Sequence, residues 1–208
     1  MKNFSIVQNF ICTKDSRLEV VKRNTKKLGS VFSDTNFYIN YNSDNQNYNS
    51  IKNSYKNNIK NISFYNDLTK DWALVTLALV KEVKTPYVMY ICEDMEVNCS
   101  KEHMESTINE FTTEDMDYMF LSKIASYTRE EYINGYTPYN TTKSPGYKKM
   151  DFGYFYLGKH APHKRLSMDM ICRTNFFIET LEEFLLKGEE CTHEIPFRKR
   201  HLPNFYEG

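Results

Sequence analysis

The chain has 208 residues, and its 27 Lys plus Arg are matched by 27 Asp plus Glu, so the formal net charge is zero. Proteins that grip nucleic acid or an anionic membrane mainly by charge carry a basic surplus, because neutralising phosphates supplies most of that affinity. No such surplus exists here, and with 40% hydrophobic and 15% aromatic residues the chain is excluded from the disordered class.

A domain of this size buries roughly 70% of its unfolded surface, enough for a real core. The longest apolar run, Trp72 to Val80, is far shorter than the roughly 20 residues that span a bilayer. The N-terminus, Met1 to Val7, is apolar only briefly and has no small-residue cleavage site. Both features predict a cytoplasmic protein with no transmembrane segment. Cys12, Cys92, Cys99, Cys172 and Cys191 are odd in number, widely spaced and form no CxxC pair, which predicts reduced thiols in preference to disulfides or structural zinc.

In chain order, Ser5 to Cys12 is β-branched and aromatic and predicts a first strand. Asp15 or Ser16 can cap the helix that follows, with Leu18, Val21 and Leu28 at near-helical spacing and Gly29 as its stop. Phe37 to Tyr41 predicts a second strand. The Asn-rich stretch from Asn40 to Asn61 has the composition of loops, around a short helix near Ile51 to Ile59. Asn61 to Tyr65 predicts a third strand, and Trp72 to Val83 a helix apolar nearly all round, hence buried.

Thr85-Pro86 ends that helix, and Pro86 to Cys92 reads as the central strand of a parallel sheet covered on both faces. Further on, Lys101 to Phe111 predicts a helix, and Asp117 to Ile124 and Phe152 to Leu157 predict strands. Tyr127 to Met150, rich in Tyr, Pro and Gly, reads as irregular. Ser167 can cap a last helix running to about Leu186, and Glu189 to Gly208 reads as coil. Strands alternating with helices favour an α/β fold with a mostly parallel central sheet flanked by helices.

In such sheets the ligand lies beyond the carboxyl ends of the strands, where strand order reverses. The post-strand residues are Thr13, Lys14 and Arg17; Asn42, Ser43 and Asp44; Asn66 to Asp71; and Glu93, Asp94 and Glu96. Carboxylates at the end of a buried apolar strand are costly unless something compensates them, and a hard divalent cation does so. Equally, Glu93 and Asp94 can be the first solvated positions after the strand, or caps of the helix near Ser100.

The segment Tyr87 to Glu96, preceded by the helix Trp72 to Val83, resembles the approach to the metal-binding DxD motif of GT-A fold glycosyltransferases. Ile11 to Arg17 resembles that family's opening strand and nucleotide-contacting turn, and Asn42-Ser43-Asp44 its second-strand Asp/Asn segment. The resemblance covers roughly the first 125 residues, and departs from the family at Cys92, which takes the first DxD position and leaves Cys92-Glu93-Asp94.

The resemblance implies a single Rossmann-like GT-A domain over residues 1–208, with a nucleotide-sugar-binding half in 1–125 and an acceptor-binding half with the tail in 126–208. It is expected to be a hexosyltransferase that moves a sugar from a UDP- or GDP-linked donor to a glycan or glycoconjugate hydroxyl, assisted by Mn²⁺ or Mg²⁺. Asp94 is then the main metal ligand, with Glu93 auxiliary and His193, in a C-terminal loop, a further ligand. Lys14, Arg17 and Lys70 would stabilise charge on the leaving diphosphate, while Asn42, Asp44, Asn66 and Trp72 would line the base and ribose pocket; Thr13 joins them. Each of these has a plainer reading as a turn residue, and Trp72 as core.

An inverting transferase needs a carboxylate base for the acceptor hydroxyl, with Asp151, Asp169, Glu190 and Glu194 as candidates and Glu194 and Asp169 preferred. Two other functions stay open. A nucleotidyltransferase acting on sugar phosphates should show a Gly-rich phosphate loop near the first strand, yet no Gly precedes Gly29. A non-catalytic glycan-binding module would use the Tyr-rich segment without metal-linked nucleotide binding. Similarity to these enzymes leaves open whether the chain is one domain of a longer protein.

Overall fold

Alternate residues of the first strand are apolar on both faces, so it belongs at the centre of a sheet covered on both sides. In the computed structural model, which describes residues 3–11, 15–43, 46–93, 97, 99–113, 118–120, 147–149, 155–157 and 170–186, every residue of β1 (Phe4–Phe10) is buried. It lies between β2 (Asn36–Tyr41) and β4 (Tyr87–Tyr90), parallel to both. β3 (Asn61–Tyr65) extends the sheet beyond β2, again parallel. On the other side, β8 (Met170–Arg173) pairs antiparallel with β4 and with β5 (Tyr118–Phe120). Among the described residues the sheet has six strands in the order β3-β2-β1-β4-β8-β5, and β6 (Tyr147–Lys149) and β7 (Phe155–Leu157) form a separate antiparallel pair.

The period of two in each strand divides the core into two layers. Phe4, Ile6 and Phe10 of β1 face a cluster with Leu18, Val21 and Leu28 of α1 (Asp15–Val31). Ile51 and Tyr55 of α2 (Tyr48–Asn58) and Met104, Ile108 and Phe111 of α4 (Lys101–Thr113) join it. Val7, Val88, Tyr90 and Cys172 point the other way, onto Trp72, Leu77 and Val80 of α3 (Trp72–Glu82) and Phe177 and Leu181 of α5 (Thr174–Leu186). Each aliphatic side chain so buried contributes roughly 1.5–3 kcal/mol. Asp71 caps α3, its Oδ1 accepting from the Leu74 N–H at 3.1 Å, and Lys81 ties α3 to Glu182 of α5 at 2.6 Å.

The α/β architecture and its mostly parallel sheet agree with the sequence, and three local expectations are corrected. Gly29 does not stop α1, which continues to Val31. Its missing side chain serves packing instead, since a Cβ there would lie 2.9 Å from the Asn58 carbonyl carbon and closer still to its oxygen. The last helix does not start from Ser167: Met170 to Arg173 is strand, buried between β4 and β5, and α5 starts at Thr174. A four-residue apolar strand running directly into an apolar helix offers no period to separate them. Tyr147–Lys149, inside the segment expected to be irregular, is also strand. Among the described residues Cys92, Cys99 and Cys172 are free thiols, and burial pushes the Cys172 thiol well above its ordinary range. No helix among the described residues is long and apolar enough to cross a membrane.

Candidate functional site

Chain order β1, β2, β3 runs to one side, and the chain then crosses back to place β4 on the other side of β1. Strand order therefore reverses between β1 and β4, and the crevice at their carboxyl ends is where an open α/β sheet takes a ligand. An ion pair spans that point. Arg17, in the first turn of α1, contacts the Glu93 carboxylate just beyond β4. The Glu93 side chain is fully buried, whereas that of Arg17 is 39% exposed.

The backbone ahead of Glu93 is held from beneath. Gln8 Nε2 donates to the Ile91 carbonyl at 3.1 Å, and Tyr55 Oη donates to Gln8 Oε1 at 2.7 Å. Asn24 Nδ2, from a buried position on α1, donates to the Glu93 carbonyl at 2.9 Å. Buried polar groups are as a rule hydrogen-bonded, and the two amides, Gln8 and Asn24, both donate to this one short segment.

A second network lies under the loops that follow β2 and β3. Asn9 Nδ2 donates to the Trp72 carbonyl at 3.2 Å and to Thr76 Oγ1 at 3.0 Å, and Asn9 Oδ1 accepts from Asn40 Nδ2 at 3.0 Å. Asn40 in turn holds Asp67 by both backbone groups, donating to its carbonyl at 3.1 Å and accepting from its N–H at 2.7 Å. Asn42 Nδ2 reaches the Thr69 carbonyl at 2.6 Å. With its amide oriented to satisfy both neighbours, Asn66 donates to the Tyr41 and Ser43 carbonyls at 2.8 and 3.0 Å. Tyr90 Oη donates to the Asn9 carbonyl at 2.8 Å and accepts from Trp72 Nε1 at 2.9 Å.

Hydrogen bonds from the Thr69 hydroxyl and N–H, the latter at 2.8 Å, hold the Asp67 carboxyl below its ordinary value of 3.8. A carboxyl whose folded value is depressed gives stability that is complete above its unfolded value and is lost as pH falls through the folded one. The stability difference between the parent and Asp67→Asn is therefore expected to be constant above about pH 5 and to shrink below 3.8. Urea unfolding across that range measures it, and a difference that persists unchanged to pH 2.5 contradicts it.

Of the residues singled out from the sequence, Arg17 and Glu93 meet beyond β4, Asn42 and Asn66 bind loop backbone after β2 and β3, and Trp72 opens α3. Trp72 is only 7% exposed, with its ring edge-to-face on Tyr90 at 5.5 Å and its indole N–H engaged. Asn42 and Asn66 spend their amides on loop backbone, and Lys70 is exposed. Thr13, Lys14, Asp44, Asp94, Asp151, Asp169, Glu190, His193 and Glu194 lie outside the described residues.

The metal centre implied by the resemblance gains no support from the described part of the motif. Cys92 packs in the apolar layer against α3, Glu93 is turned inward to Arg17, and no three His, Cys, Asp or Glu among the described residues gather to hold an ion. Sequence reasoning missed Gln8, Asn9, Asn24 and Asn40. For Gln8, Asn9 and Asn40 the available signal was amides interrupting apolar strands near their carboxyl ends, where a buried polar side chain requires partners; Asn24, on α1, offered no such signal.

No protein-family model matches the chain, and no curated protein matches it in sequence. Solved structures do match. S. aureus TarS, residues 1–349, superposes with a TM-score of 0.53 at 13% identity over 83% of this chain and 47% of that one. The same protein in complex with UDP-GlcNAc gives 0.50 at 12% identity, over 83% and 45%. 4-Diphosphocytidyl-2C-methyl-D-erythritol synthase from Anaerococcus prevotii gives 0.50 at 13% identity, over 93% and 80%. The chain spans about half the length of the TarS fragment it matches. What the likenesses show is a shared fold, the Rossmann-like GT-A type of α/β sheet.

Proposed function

We propose that the chain is a nucleotide-sugar-dependent glycosyltransferase that binds the diphosphate of a UDP- or GDP-sugar at the carboxyl edge of β1 and β4. The observation that carries this reading is Arg17, half-exposed where strand order reverses and fixed in place by a buried carboxylate. Arg suits this task because its planar fork stays charged and matches phosphate oxygens. Beside it, the loops after β2 and β3 are locked by Asn9, Asn40, Asn42 and Asn66, a prepared wall for base and ribose. The fold shared with TarS, a protein solved in complex with UDP-GlcNAc, supports the reading.

The remaining assignments extend it. Thr13, Lys14, Asp44 and Lys70 would complete the donor site, with residues 1–125 as the donor half and 126–208 as the acceptor half. Glu194 or Asp169 would take the proton of an acceptor hydroxyl on a glycan or glycoconjugate. Asp94, with His193, would hold Mn²⁺ or Mg²⁺, which when bound offsets charge on the leaving diphosphate.

A second reading, a nucleotidyltransferase acting on sugar phosphates, is favoured by the likeness to the Anaerococcus synthase, which covers most of both chains. The absence of any Gly before Gly29 argues against it, because a backbone cradle for a nucleoside triphosphate usually needs glycine. Calorimetric titration separates the two. UDP- or GDP-sugar is expected to bind, with CTP and UTP at least tenfold weaker. Tighter triphosphate binding, with pyrophosphate released when a sugar phosphate is added, favours the second reading, and no nucleotide binding at all overturns both.

A further inference from the structure

We infer that Glu93 is a positioning residue for Arg17, and that neither metal nor nucleotide is its ligand. The inference rests on the donor-site reading above. Glu93 occupies the middle of Cys92-Glu93-Asp94, where a carboxylate would ordinarily be read as facing an ion. Its side chain is instead fully buried and contacts the guanidinium of Arg17. A buried carboxylate is tolerable only against a partner that compensates its lost hydration. A guanidinium does so with part of its donor fork while the rest stays directed elsewhere.

Arg17 has that division, since its side chain keeps 39% of its surface exposed while contacting a carboxylate with none. The pair also has a rigid frame. Asn24 lies seven residues, or two turns, after Arg17 on α1, and it donates to the Glu93 carbonyl at 2.9 Å. One helix therefore grips Glu93 by side chain and by backbone. This arrangement fixes where the exposed part of the guanidinium points and removes the entropy cost of ordering it when an anion arrives. Glu93 thereby acts on the ligand only through Arg17.

The test uses the full chain and two probes, inorganic pyrophosphate and UDP, titrated by calorimetry in EDTA and again in Mn²⁺. Glu93→Gln is expected to weaken both probes about tenfold, the usual scale for losing a group that orients a ligand-binding residue. The ratio between the Mn²⁺ and EDTA affinities should stay as in the parent. Arg17→Ala should weaken them by at least as much, and adding Glu93→Gln in that background should cost nothing further, a non-additivity that a merely structural role does not produce. Where Glu93→Gln does not fold, Arg17→Lys serves, because a point charge cannot face both ways and should show the same loss with the same metal ratio.

Loss of the Mn²⁺ enhancement with unchanged affinity in EDTA would make Glu93 a metal ligand and overturn the inference, as would additive effects in the double variant. If the parent binds neither probe, the donor-site reading falls, and the inference with it.

Discussion

Replacing Asn9 by leucine is expected to destabilise the fold by about 3 kcal/mol, seen in urea unfolding as a lower midpoint with an unchanged slope. The side chain is 4% exposed and makes three hydrogen bonds, to the Trp72 carbonyl, Thr76 Oγ1 and Asn40 Nδ2. Leucine fills similar space and leaves these groups without the partner around which they are arranged. A buried polar atom left unsatisfied costs about 1–3 kcal/mol, so the partners outweigh any gain in apolar contact. The effect should also spread. Asn40, released from Asn9, fixes Asp67 less firmly, and nucleotide affinity is expected to fall together with stability. A variant as stable as the parent would show that the network is incidental to the core.

Gly29→Ala is expected to destabilise by about 2 kcal/mol, against the usual direction for this change within a helix. At an exposed helical position alanine gains roughly 1 kcal/mol over glycine, so the sign alone decides. The new methyl would meet the backbone of Asn58, with the carbonyl carbon 2.9 Å away. Backbone at a helix end cannot rotate aside as a side chain does, so α2 must shift as a body. Because α2 carries Tyr55, which holds Gln8, movement there should reach the segment before Glu93. Thermal unfolding of the variant measures the loss, and an increase in Tm would show that the two helices are free to separate.

Much of the fold was legible because the relevant signals are local. β1 to β4 and the helices between them are long or strongly patterned, bounded by Gly, Pro and Asn, and their order alone implied a mostly parallel α/β sheet. What escaped depended on contacts distant in sequence. β8 is short and abuts α5, and only its place between β4 and β5 makes it a strand. Gly29 resembled a helix stop because glycine usually is one, and its reason lies on another helix.

For the candidate site, the post-strand positions singled out both Arg17 and Glu93, but charge type alone could not show that the two face each other. The amides of Gln8, Asn9, Asn24 and Asn40 carry no signal of this kind in the sequence, where they are ordinary strand and helix residues. Their importance rests on burial, which requires each to have a partner and so turns them into supports for the loops above.

Binding of a nucleoside diphosphate at the edge between β1 and β4 is read by hydrogen–deuterium exchange of the full chain with and without a saturating UDP- or GDP-sugar. Added protection is expected at the start of α1 around Arg17, in the loop from Asn66 to Trp72, and from Ile91 to Glu93, with β3 and α5 unchanged. Protection confined to any other part of the chain, with these three segments exchanging as before, would contradict it.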